Sequence, residues 1–551
     1  MSIAHSSSSA TTILCNGAIA SRSKGRSLAV GAEALAIAGN SILAVGSNDD
    51  ILHLQGPGTE TIDLQGRLVV PGFIDSHIHF YEWSLKLHDL QLEDVGSLEE
   101  LLARVSHRAE NMPTGQWLMG QGWNETDWAI PQMPSRASLD SAAPDHPVLL
   151  WRCDLHLAVA NSKALQLAGI DDTTLDPPEG RIERDGAGKP NGVLRELAIN
   201  LVRNAVAPPD AARIEQAFAA GSRELHKLGI TGIHDIRLMH DSDGAKALRS
   251  FQELDRHNQL DLRSWVTLPG HQLNDIIGLG LQSGFGNDRL RLGHVKYFSD
   301  GGMGARTAWM LEPFLDAGEG MPLMEMEELA RDIDRADSHG LAVMVHAVGD
   351  RANRELINIF AALENRRNSE NRKKPYKRPY YAHRIEHVQM IRPEDLKRLE
   401  DLNLALNVTP SNMILDINLI DRILEERGQW TYPFRQLLDT GAPLMFSSDC
   451  PVCSPAPLPA IHAAVTRQRR DATPDGGWYP GARIDAGEAL AAFTSTPAHV
   501  HKAYDIGTIE PGNKADLAIL SDNILTDAPE AIAATTVDMT LFNGRVVHRL
   551  L

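Results

Sequence analysis

LVVPGFIDSHIHF, residues 68–80, is an apolar run that breaks at Pro71-Gly72, resumes at Phe73-Ile74 and ends in Asp75-Ser76-His77-Ile78-His79. Apolar residues on both faces describe a strand buried on both sides, as in a parallel sheet covered by helices. His77 and His79 lie two residues apart, so both side chains leave the same face of that strand. A buried strand that finishes in two imidazoles on one face ends at something those imidazoles bind.

Seven further apolar runs follow: GITGIHDIR (229–237), LRSWVTL (262–268), LRLGHVKYFSD (290–300), LAVMVHAVGD (341–350), YYAHRIEHVQM (380–390), NLALNVTP (403–410) and APLMFSSDCPV (442–452). Helical patterns separate several of them, such as DAARIEQAFAAGSRELHKLG (210–229) and MEELARDIDRADSHG (326–340). Both close on a glycine suited to a helix C-cap. Strands alternating with helices predict a parallel α/β barrel. RLVVPGFIDSHIHF (67–80) is read as its first strand.

The two ends of the chain have a different texture. TTILCNGAIA, ALAIAGNSILAVGS and ETIDLQGRLVV near the start, and GTIEPGNKADLAILS and DMTLFNGRVVHRLL near the end, read as short strands with turns. Asn16-Gly17 and Gly39-Asn40 are hairpin signals. Residues 1–70 and 502–551 are therefore expected to form one small composite β-sandwich, with the barrel over 71–501. Residues from about 81 to 210 interrupt the barrel rhythm and hold Trp83, Trp117, Trp123, Trp128 and Trp151 among many Pro and Gly. They read as an inserted subdomain or long lid after the first barrel strand, and ENRRNSENRKKPYKR (364–378) as a solvated loop.

With 551 residues, 43% of them hydrophobic and 23% charged, the chain has the composition of a globular protein. Its formal net charge of −19 argues against nucleic acid or an anionic membrane surface as a partner. Four cysteines, Cys15, Cys153, Cys450 and Cys453, are too few for a disulfide framework. The first residues lack the apolar core of a signal peptide, and no run approaches a membrane span. A cytoplasmic protein is the expectation.

Ligand-type residues recur where the predicted strands end: His77 and His79, then Lys296 in GHVKYFSD, His346 in VMVHAVGD, His387 in RIEHVQM and Asp449 in MFSSDCPV. In an α/β barrel the C-terminal strand ends converge on the active site. Imidazoles and a carboxylate converging there predict a metal site of zinc-like character, with manganese or iron as other occupants. Weaker candidates for substrate contact are Trp123, His156, His294, Asp300 and Cys450. His294 shares strand parity with Lys296 and is read as a substrate contact or a packed polar residue. Asp300 is read as orienting the site loop or as a simple turn residue. His383, four residues before His387, is the competing ligand on that strand. Cys450-Pro-Val-Cys453 has C-x-x-C spacing, and Cys450 is read as pocket wall.

The set and its order resemble the metal-dependent amidohydrolase superfamily, and within it amidohydrolase family 3, which includes N-substituted formamide deformylases and YtcJ-like proteins. The resemblance rests on PGFIDSHIHF, GQGWNETDW, NSKALQLAGI, GKPNGVLRE, VKYFSDGGMGARTA, VHAVGDRAN, RIEHVQMI, SSDCPVCSPAPLPAIHAAVTRQ and GTIEPGNKADLAIL, and covers nearly the whole chain. It implies a distorted (β/α)8 TIM-type barrel with the composite β-sandwich and the insertion. It implies that His77 and His79 hold a buried metal and His346 and His387 a more exposed one, that Lys296 bridges two Zn2+ as a carbamate, and that Asp449 binds metal and moves the proton of the attacking water. The implied activity is cleavage of a C–N bond, as an amide, formamide or carbamate-like group, in a small molecule. A mononuclear deaminase or cyclic amidase, an ester or lactone hydrolase, and a non-enzymatic scaffold are the rival readings. A homodimer or higher homo-oligomer is a further expectation of the resemblance.

Overall fold

The computed structural model describes residues 9–22, 27–87, 89–92, 94–125, 128–152, 157–177, 180–237, 244–370 and 378–550. The chain divides into two compact units, Met1–Ser84 with Phe218–Leu551, and Leu85–Ala217.

The larger unit contains an eight-stranded sheet in which every neighbouring pair is parallel. In chain order its strands are Phe73–Ile78, Ile230–Asp235, Arg263–Pro269, Leu290–Phe298, Val343–Ala347, His383–His387, Leu404–Val408 and Leu444–Phe446. Each falls on one of the eight apolar runs, the third extending one residue past its run to Pro269. The first, second, sixth and seventh are buried at every residue, as continuous apolar strands between helices and barrel interior must be. Gly229 and Gly340 follow the helices Ala211–Lys227 and Met326–Ser338 with φ of 78° and 79°, the left-handed geometry of a C-terminal cap.

Closure between first and last strands comes from the segment just past the three-residue eighth strand. Asp449 N–H donates to the His77 carbonyl at 2.8 Å and His79 N–H to the Cys450 carbonyl at 2.9 Å. Asp75 adds a buried clasp, accepting from Ser448 N at 3.1 Å and from Ser448 Oγ at 2.5 Å. The barrel is thus nearly closed and distorted, its seam held largely by the ends that carry the site.

The run at 67–80 is two strands. Leu68–Pro71 belongs to a six-stranded sheet with Arg545–Arg549, Val537–Phe542, Leu517–Leu520, Ala18–Arg22 and Leu28–Ala32, and only Phe73–Ile78 enters the barrel. The change happens at Gly72, where a Cβ would lie 2.2 Å from Thr231 Oγ1, so a side chain could not pass the second barrel strand. A second sheet of four strands, Ser41–Gly46, Ala34–Ala38, Thr12–Cys15 and Glu60–Asp63, completes the sandwich. Its core joins Leu14, Leu35 and Ile37 from one end of the chain to Leu517, Ile519 and Leu541 from the other.

Gly39-Asn40 is a hairpin turn between two antiparallel strands. Asn16-Gly17 is not. It joins Thr12–Cys15 in one sheet to Ala18–Arg22 in the other, a corner that needs Asn16 at φ 57° and no side chain at Gly17, where a Cβ would meet Leu64 at 2.4 Å. The loop expected over 364–378 is also corrected. The helix Asp350–Glu370 runs into it because Arg367 is buried against Asp337 and Glu364; residues 371–377 lie outside the described residues.

The smaller unit has its own six-stranded sheet, ordered Gly180–Arg184, Pro190–Glu196, Leu157–Ala160, Val148–Arg152, Leu118–Trp123 and Leu90–Gln91. Leu101, Leu118, Trp123, Trp128, Leu139 and Leu150 pack one face of it. Trp83 falls outside this unit.

Candidate metal centre

At the C-terminal ends of the barrel strands is a cavity of about 350 Å3 lined by His77, His79, Lys296, Phe298, His346, His387 and Asp449. All six residues singled out as metal ligands therefore meet in one space, with Phe298 as the single apolar wall.

Period-two geometry explains some of this convergence. His77 extends from the first strand with its Nδ1 2.6 Å from Glu386 Oε2. Lys296 sits near the end of the long fourth strand, its Nζ 4.7 Å from the centre of the Phe298 ring. Two ligands arrive differently. His387 and Asp449 have φ of 70° and 56°, backbone conformations that cost a non-glycine residue free energy and recur at functional sites. On the sixth strand Arg384 and Glu386 meet side chains and backbone of the first two strands. His383, of opposite parity, instead accepts from Val343 N–H and pairs with Asp337. His387 shares the parity of His383 in sequence, and its left-handed backbone is what brings it beside His77 and His346, at ring-centroid distances of 5.1 and 4.5 Å.

The donor set fits a cation. His79 Nδ1 lies 3.0 Å from the Ile236 carbonyl, which can only accept, so Nδ1 carries the proton and Nε2 presents its lone pair. His77 Nδ1 faces the Glu386 carboxylate, which Arg384 holds well below the usual carboxylate range against the upward push of burial, so His77 Nε2 is also a lone pair. Both Nε2 atoms then point at Asp449 Oδ1, each at 3.3 Å. Three acceptors facing one another in a buried place are stabilised by a positive ion between them, and their ligand atoms all lie within 4.8 Å. Beside them His346 Nε2 is 3.2 Å from the Gly301 carbonyl, which leaves its Nδ1 as the lone pair.

Electrostatics agree at three of the four imidazoles. Burial lowers His77 to about 4, His387 to about 3 and His346 well below its ordinary value, keeping them neutral as ligands must be. His79 is raised instead, its burial outweighed by the hydrogen bond and charge of Asp449. Asp449 is held well below the usual carboxylate range against the push of burial by His77, His79 and His387 in their charged forms, a stabilisation that a cation would supply once those imidazoles are neutral. Burial brings Lys296 down to about 8, and its Nζ has no hydrogen-bond partner among the described residues. A buried amine without a partner and close to neutrality is the state from which a carbamate can form.

The weaker candidates are elsewhere. His294 is fully buried one layer below Lys296, donates from Nε2 to the Ala382 carbonyl at 3.0 Å and stacks on Tyr381; it does not line the cavity. Asp300 accepts three backbone N–H bonds, from Trp309 at 2.8 Å, Val348 at 3.0 Å and Gly349 at 2.8 Å, so it ties the loops after the fourth and fifth strands together. Cys450 is buried outside the lining, and among the described residues neither it nor Cys453 forms a disulfide. Trp123 lies in the core of the smaller unit against Trp128. His156 is outside the described residues.

Sequence reasoning passed over Glu386, Arg384 and Asp75. Two opposite charges two residues apart and at one parity of a predicted barrel strand, Arg384 and Glu386, were the available signal.

The sequence matches the amidohydrolase family over residues 60–548. Among curated relatives it is 30% identical to Protein LONG AFTER FAR-RED 3 of Arabidopsis thaliana, covering 94% of this chain and 88% of that protein. It is 26% identical to an N-substituted formamide deformylase of Arthrobacter pascens, over 93% of this chain and 94% of the relative. A solved structure of an uncharacterised metal-dependent hydrolase from Pyrococcus furiosus superposes with a TM-score of 0.75 at 29% identity, covering 94% of this chain and all of that one. With a distorted parallel barrel, a cluster of histidines and an aspartate at its strand ends that could hold a metal, and a match along most of its length, the chain belongs to the amidohydrolase family and is a metal-dependent hydrolase.

Proposed function

We propose that the protein hydrolyses a C–N bond of a small molecule, as an amide, formamide or carbamate-like group, at a centre of two divalent cations. The observation that carries this reading is the cavity itself, in which, among the described residues, four histidines, a lysine without a hydrogen-bond partner and an aspartate make up all of the lining except Phe298. His77, His79 and Asp449 would hold one cation, and His346 and His387 stand beside them for a second. Lys296, as a carbamate, would offer an oxygen to each. Zinc suits this donor set, and manganese or iron are compatible with it. Such ions supply Lewis acidity, making a water nucleophilic near neutral pH and polarising the scissile carbonyl.

The residues of the chain do the rest. Asp449 takes the proton released as water adds to the carbonyl carbon and returns it to the nitrogen as the C–N bond breaks. Its carboxylate is free of a proton throughout the neutral range, and its side chain is 13% exposed where that of His77 is 1% exposed. Phe298 gives the substrate one apolar surface. The formamide deformylase among the relatives makes N-substituted formamides the first compounds to try.

A mononuclear deaminase or cyclic amidase is the second reading. It is favoured by the tight grouping of His77, His79 and Asp449 without the other two histidines. Elemental analysis of protein purified without chelators or added metal separates the two. Close to two equivalents per chain, with turnover of N-formyl or N-acyl compounds, supports the binuclear amidase. Close to one, with activity confined to amino-heterocycles or cyclic amides, overturns it.

A further inference from the structure

Beneath the metal centre a polar chain runs through the barrel interior. His77 Nδ1 meets Glu386 Oε2 at 2.6 Å. Arg384 grips both oxygens of Glu386, Nε to Oε1 at 2.8 Å and Nη2 to Oε2 at 3.0 Å. The same guanidinium donates to the Ser76 carbonyl at 2.8 Å and to His234 Nδ1 at 2.7 Å, with His501 Nε2 at 3.4 Å. Arg384 and Glu386 are entirely buried.

His234, His294 and His501 could suggest a second metal site, since their ligand atoms cluster. The hydrogen bonds and the fixed charge oppose it. Arg384 Nη1, which can only donate, faces His234 Nδ1 at 2.7 Å, so that nitrogen accepts and His234 carries its proton on Nε2. His501 Nε2 lies 3.0 Å from the same His234 nitrogen and donates to it, so His234 has no lone pair left for an ion, and the Arg384 cation stands beside both rings. These histidines seat Arg384.

We infer that Glu386, clamped by Arg384, is a positioning residue for the metal centre: it accepts the hydrogen bond from His77 Nδ1–H and fixes that ring with Nε2 turned to Asp449 and His79. A ligand imidazole with nothing at its far nitrogen can rotate and exchange tautomers, and outer partners of this kind typically govern cation affinity by 10- to 100-fold. A bidentate Arg–carboxylate pair has the rigidity to impose such an orientation, because both oxygens are committed. Neither residue lines the cavity, so neither touches cation or substrate.

This inference rests on the metal-dependent reading and is tested by cation affinity rather than turnover. Full-length protein, stripped of metal, is titrated with Co2+ against a chromophoric chelator, and the cobalt ligand-field spectrum is recorded. Glu386→Gln keeps the shape and one acceptor; the Arg384→Met/Glu386→Met pair removes both charges together, so that no buried ion is left alone. Asp516→Asn, which breaks the buried Arg263–Asp516 pair elsewhere in the unit, controls for general destabilisation. The expected result is affinity about 10-fold weaker in Glu386→Gln and about 100-fold weaker in the double variant, with an altered cobalt spectrum, while Asp516→Asn keeps both affinity and spectrum. Wild-type affinity and an unchanged spectrum in a folded double variant overturn the inference. If the double variant does not fold, affinity in Glu386→Gln within about threefold of wild type overturns it. Wild-type protein that takes up no Co2+ would defeat the metal reading itself, a separate outcome.

Discussion

Replacing Lys296 with methionine should stabilise the metal-free protein while abolishing its activity. The Lys296 side chain is buried, its Nζ has no hydrogen-bond partner among the described residues, and burial lowers its pKa from 10.5 to about 8 despite the nearby Glu386 and Asp449 carboxylates. A displacement of that size corresponds to about 3 kcal/mol between charged and neutral forms. Unfolded chains bind the lysine proton more tightly than folded ones. The penalty is therefore fully present below pH 8, shrinks as pH rises from 8 towards 10.5, and is gone above it. Methionine has similar length and no charge, so it removes the penalty at neutral pH and nothing at high pH. Urea titrations of metal-stripped wild type and Lys296→Met in bicarbonate-free buffer should show the variant more stable by about 3 kcal/mol near pH 7, with the difference nearly closed near pH 10.5. A variant no more stable than wild type at neutral pH, or equally more stable at both, would refute the reasoning. Positive confirmation would show stability held back by a group retained for function.

Two further outcomes follow from the geometry. Asp449→Asn should lower turnover by about 10²- to 10⁴-fold with the fold intact, because asparagine tolerates the left-handed backbone at this position; kinetics and circular dichroism of one preparation check both halves. Asp516→Asn should cost about 3–5 kcal/mol, read by urea titration, because Arg263 is buried and both of its bonds to Asp516 lose their charged acceptor.

The barrel strands could be read because each is buried on both faces, so apolar runs mark them without help from distant contacts. The smaller unit could not be read in this way. Gly180–Arg184 is exposed or half-buried at most positions, and Leu90–Gln91 is only two residues long. Such strands exist because neighbours hydrogen-bond them, which is information the local sequence lacks. The corner at Asn16-Gly17 failed for a related reason: the dipeptide specifies a tight left-handed turn, and whether the next strand pairs back or crosses to another sheet is decided by packing against Leu64.

The site itself shows the same division. Parity alone places His77 correctly, and the two-residue spacing carries His79 with it. On the sixth strand parity would keep His387 with His383, which lies against Asp337 rather than in the cavity. What separates them is a left-handed backbone at His387 and Val388, φ 70° and 39°. Such a conformation persists only where surrounding contacts over-determine it. Gln389 supplies one, bonding Asp416 through its side chain and Tyr432 N–H through its carbonyl, and Met390 N–H donates to the Val348 carbonyl from the neighbouring strand end. The chain after His387 is therefore pinned at two points, and the strained turn between strand and pins aims the imidazole into the cavity. Asp449 is held in the same manner, its N–H on the His77 carbonyl and the following Cys450 carbonyl on His79 N–H. Ligand types can be recognised in a sequence, but the aim of these two depends on backbone bonds to strands far away along the chain.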